Sequence, residues 1–152
     1  MTALRRVVLA AGLGVLALSI SGCGPDESVS VGMATTEARS LARDDATALQ
    51  EALSAGGDAA AVRDAVESWA RTALGEQAGI QERSDGAELV MVYDVLENQG
   101  GGWFSSEVVV RLCTRLLVQG AGDVRVVLEG AECPADLSAP GYGDSFTEVG
   151  LE

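Results

Sequence analysis

Histidine and lysine are both absent from the 152 residues, and that removes most familiar catalytic chemistry at once. Without histidine there is no Ser-His-Asp or Cys-His nucleophile and no paired-histidine zinc site. Without lysine there is neither a Schiff-base amine nor a phosphate-loop lysine. A Gly-x-Ser-x-Gly elbow is also missing, and Gly120-Ala121-Gly122 lacks the third glycine of a dinucleotide-binding turn. Positive charge comes from 10 arginines alone, against 23 acidic residues, for a net charge of -13. Such a balance argues against nucleic acid as a partner, because duplex binding rests on neutralising phosphates with basic side chains.

The only acid-base route left is a pair of carboxylates. Asp44 with Asp45, or Glu82 with Asp85 and Glu88, would be the candidates for a small envelope enzyme. Neither group lies in an apolar stretch that would raise a carboxyl pKa, so both are expected to be solvated surface rather than catalytic residues. No cofactor or metal set is expected, and the reading favoured for the chain is non-enzymatic.

What is present begins at the amino terminus, where Arg5 and Arg6 precede fourteen uncharged, mostly apolar residues, 7–20. That run is short for a membrane-spanning helix, which needs about 20 residues, but it suits the apolar region of a secretory signal. It leads into Ile20-Ser21-Gly22-Cys23, which resembles the lipobox of bacterial lipoproteins. The resemblance covers residues 1–23 only. It implies cleavage between Gly22 and Cys23 and a thioether-linked lipid on Cys23. Residues 4–9 faintly resemble a twin-arginine signal but lack its polar residue before the arginine pair, so general secretion is expected.

Arginine without lysine, amid much Ala, Gly and Val, suggests a GC-rich genome, hence a high-GC Gram-positive bacterium and the outer face of its cytoplasmic membrane. Losing residues 1–22 leaves eight arginines against 23 acids. A domain so acidic is repelled by anionic head groups, so the lipid itself must provide attachment.

Along the rest of the chain, residues 23–34 read as a lipidated start and flexible tether, 35–134 as one domain, and 135–152 as an acidic flexible tail. Apolar residues at three- and four-residue spacing predict a helix over 36–53. Asp58 is placed to cap a second helix with Val62, Ala65, Val66 and Trp69 on its inner face. After Gly79 the period changes to two, predicting strands near 80–83, 87–97, 103–118 and 124–129. Leu89, Met91, Tyr93, Val95, Val108, Val110, Leu112, Leu116 and Val118 fall on one face of them. The expected fold is α+β: a helical hairpin on one face of a three- to four-stranded antiparallel meander.

With Cys23 assigned to lipid, Cys113 and Cys133 form an even pair in an exported chain, which predicts a disulfide. Their spacing is not Cys-x-x-Cys, so a redox or metal role is not expected. A regular hairpin turning at residue 121 would put Cys113 opposite residue 129 and leave Cys133 about 13 Å away. Bridged Cα atoms lie within about 7 Å. The last strand is therefore expected to break near Gly130 and fold residues 131–133 back over the outer face.

Two features suggest contact with a partner, either an envelope protein or a glycan. Trp103 follows three glycines in Gln99-Gly100-Gly101-Gly102-Trp103 and is expected to be exposed. Arg111, Arg115 and Arg125 are expected together on the outer sheet face, where they would hold an anion or pair with Glu107 and Glu129.

Overall fold

The computed structural model describes residues 27–54, 56, 58–83, 86–99, 106–120 and 123–152. Gly22, Cys23, Asp85 and Trp103 lie outside them. Helices α1 (Glu27–Leu53) and α2 (Ala59–Ala70) precede strands β1 (Glu76–Arg83), β2 (Gly86–Gln99), β3 (Ser106–Gln119), β4 (Arg125–Gly130) and β5 (Ser145–Val149). Asp58 caps α2 as expected, accepting hydrogen bonds from the amides of Ala60 and Ala61. The sheet order is β1-β2-β3-β4, with antiparallel neighbours, and β5 pairs with β3 in parallel. The chain is α+β, with helix packed on an open sheet.

Two elements depart from expectation. Residues 27–34 are not tether but the first two turns of α1. Each strand of the β2–β3 hairpin is 14 residues long, or about 47 Å, and its apolar inner face must be covered throughout. A 27-residue helix, about 40 Å long, nearly matches that length. Its buried stripe begins with Ser30, Ala34, Ala38 and Ala42 and ends with Leu49 and Leu53. Small side chains let a helix approach a sheet closely, but they carry little hydropathy, which is why the first turns escape a periodicity count. The helix runs in the direction of β3. Arg39 reaches Gly150 beyond the middle of β3, and Gln50 reaches Val124 and Val126 at its far end. Helix α2 packs on α1 and adds Val66 and Trp69 to the core.

The second departure concerns residues 135–152, which are not a flexible tail. Beyond Gly130 the chain crosses the outer face of β3, and Gly143 packs against Val109 so tightly that a Cβ there would lie 2.5 Å from its Cγ2. The chain then returns as β5 along the same edge that β4 occupies further on. Asp144 and Glu107 exchange bonds at the turn into β5, and Leu151 packs against the core. Low hydropathy concealed this segment, because backbone pairing rather than apolar side chains holds most of it.

Cys113 lies in the gap between the two ladders, after Leu112 pairs with Val149 and before Thr114 pairs with Gly130. Its carbonyl accepts from Ala131, so the register is displaced by two residues from the one expected. The break at Gly130 does occur, and Cys113 and Cys133 come together with Cα atoms 5.2 Å apart. Val109, Arg111 and Cys113 are consequently buried on what would otherwise be the solvent face.

Removing the disulfide, by reduction or by Cys133→Ser, is expected to lower the unfolding free energy by about 3 kcal/mol, as the chain-entropy model gives for a loop of this size. Urea titrations with and without reductant measure this.

Candidate functional site

The carboxylates considered for catalysis separate into committed and solvated groups. Asp45 is buried, not solvated as expected, because it faces inward on α1 two turns from Ala38. One oxygen accepts from the amide of Leu74 at 2.9 Å, and the other accepts from Gly75 at 2.9 Å and from the Tyr93 hydroxyl at 3.1 Å. This carboxylate therefore pins the turn between α2 and β1 onto α1. Gly75 is required there, since a Cβ would lie 2.5 Å from the Tyr93 ring. Burial, reinforced by the neighbouring Asp45 charge, raises the Tyr93 pKa above the usual phenolic range. Asp44, its sequence neighbour, is exposed.

Glu88 also departs from the solvated expectation. It lies on the outer face of β2 and is paired with both Arg83 and Arg115, the latter at 3.0 Å. The Arg115 Nε has an ionic contact with it but not the alignment of a hydrogen bond. Glu82 is far more exposed and meets Arg63 on α2 at 3.4 Å. Among the described residues no three acidic or cysteine side chains gather where they could share a metal ion.

The arginines expected to form an anion-binding face are largely occupied. Arg111 makes a two-pronged pair with Asp94, 2.7 Å on each side, and donates to the carbonyl of Ser138 at 2.9 Å. Its guanidinium also lies 5.2 Å from the Phe146 ring centroid. It is a buried tie between β2, β3 and the crossing segment. Its partner is Asp94 rather than Glu107, because β2 supplies the residue directly opposite. Arg115 is opposite Glu129 in register, yet its ion pair is with Glu88. Arg125 is exposed opposite Gln119. Two of the three arginines thus hold the sheet together, and Arg125 is the one left to solvent.

A shallow groove lies among the described residues where Val29, Gly32, Met33, Thr36 and Ser40 of α1 meet Glu97 near the end of β2. Its titratable lining residues are Glu37 and Glu97. No described helix is long and apolar enough to cross a membrane. Comparisons with protein-family models, with curated proteins and with solved structures found no match.

The hydrogen-bonded Tyr93 supplies a pH test. A group whose pKa is raised on folding adds stability in full below its unfolded pKa, about 10, and loses it as pH rises towards the folded value. Stability should accordingly fall above about pH 10, and Tyr93→Phe should flatten that decline while costing about 1 kcal/mol near neutrality. Denaturant midpoints across pH 8–11 would show no difference in slope if Tyr93 were free to ionise.

Proposed function

We propose that this protein is an exported lipoprotein, anchored through lipid on Cys23 to the outer face of the cytoplasmic membrane, and that its domain is a non-enzymatic binding module of the cell envelope. The observation that carries this reading is the division of labour among three cysteines. Cys113 and Cys133 stand at disulfide distance, as suits an oxidising compartment, while Cys23 follows a signal-like run and a lipobox-like sequence.

The non-enzymatic part rests on commitment of the available groups. Asp45 and Glu88, the buried acidic side chains among the described candidates, are already engaged by structural donors. The groove that carries Glu37 and Glu97 is shallow and open to solvent rather than an enclosed apolar pocket. A partner protein or glycan would meet surface residues, with Arg125 and Trp103 as candidates and Arg111 withdrawn.

Cys23→Ala should move the protein from the membrane fraction to the medium, and continued sedimentation with membranes would reject the anchor. Binding is read separately, by cross-linking in intact cells. An envelope component enriched by the parent chain and reduced at least several-fold by Trp103→Ala or Arg125→Ala supports the module, whereas equal recovery from all three chains counts against it.

A further inference from the structure

We infer that one end of the domain, carrying Val29, Met33, Leu96, Tyr142 and Phe146, docks on the lipid surface that holds Cys23. The inference rests on the lipid-anchor reading above and adds an orientation and a contact surface to it.

Exposed apolar side chains are unevenly distributed. Seven large ones are exposed among the described residues, and five of them cluster at the end where α1 begins. Val29 and Met33 lie one helical turn apart, 52% and 56% exposed, in the groove beside Glu97. Across the sheet, Leu96 and Phe146 flank Val109 from its two neighbouring strands. Tyr142, 52% exposed, precedes the Gly143 that packs on Val109 and the Asp144 that bonds Glu107. These side chains therefore rim the end from both layers of the fold. The remaining two, Leu74 and Ile80, lie elsewhere. Leu74 is held by Asp45, and Ile80 pairs with Leu89, whose other neighbour is Leu116 near the far end of β3.

The length of chain before α1 decides what covers this rim. Only residues 24–26 separate Cys23 from Glu27, and four residue steps extend at most about 14 Å. An acylated Cys23 consequently keeps the first turn of α1 at the membrane interface, with Val29 and Met33 within one or two further turns. A long tether would let the domain tumble away, but three residues cannot. Apolar and aromatic side chains gathered at an interface favour partial insertion among head groups and acyl chains. Glu27, Glu37 and Glu97 at the same end oppose anionic head groups, so the surface suits neutral lipid. The opposite end, with Gly86 and Gln119, faces outward.

The test uses the full lipidated protein in phosphatidylcholine vesicles, with a fluorophore on Met33→Cys or, as control, on Leu74→Cys. Acrylamide quenching at position 33 should fall at least three-fold relative to the same labelled chain made soluble by Cys23→Ala, while position 74 should change little. Equal quenching at position 33 in the vesicle-bound and soluble forms would overturn docking and leave the anchor standing. Failure of the protein to float with vesicles would overturn both. Shielding of position 33 in the soluble form, increasing with protein concentration, would assign the rim to a second copy and overturn the lipid contact.

Discussion

Strand β3 has apolar side chains on both faces for most of its length, and every other element can be understood as a way of keeping water from it. Val108, Val110, Leu112, Leu116 and Val118 point towards α1, while Val109, Cys113 and Leu117 point the other way and are buried as well. A strand in an antiparallel meander usually has one wet face. Here the second face is closed by the chain that crosses it between β4 and β5, and the cost of ordering that low-hydropathy segment is offset by hydrogen bonds and the disulfide. Arg111 belongs to this arrangement. A guanidinium in so enclosed a place needs its charge matched and its donors filled, and Asp94 with the Ser138 carbonyl does both.

The edges of the sheet are treated differently. On the side of β4 and β5, polar side chains of α1 bond to strand backbone. Gln50 donates to the carbonyl of Val124 and accepts from the amide of Val126, as a neighbouring strand would. Arg39 closes on Gly150 three turns earlier along the same helix. Helix α1 thus covers one face and seals one edge. On the other side β1 is an exposed edge strand, interrupted by a register shift between Gln77 and Gly79 and carrying Glu76, Glu82 and Arg83. Charge and irregularity discourage sheet extension there without a covering element.

Residues considered for chemistry turn out to be mainly architectural. Asp45 joins α1 to the α2–β1 turn, and Glu88 on β2 gathers two arginines from β1 and β3. Exposed apolar side chains are spread unevenly over the surface, with Val29 and Met33 near the start of α1 and Leu96 and Phe146 on the strands flanking Val109.

The residues alone determined the α+β class, the capped second helix, the inward faces of β2 and β3, and the need for a strand break before Cys133. Each follows from local periodicity or chain geometry, which neighbouring residues report directly. Tertiary structure decided the start of α1, the burial of Asp45, the partner of Arg111 and the ordering of residues 131–151. Ser30 and Ala34 are helical because a long hairpin must be covered, and Asp45 is buried because orphan amides of a turn distant in sequence require an acceptor. Arg111 faces Asp94 through strand register, and β5 exists because half of one β3 edge is left vacant where β4 stops. All four depend on residues brought together from distant parts of the chain, where hydrogen-bond satisfaction and excluded water override local hydropathy.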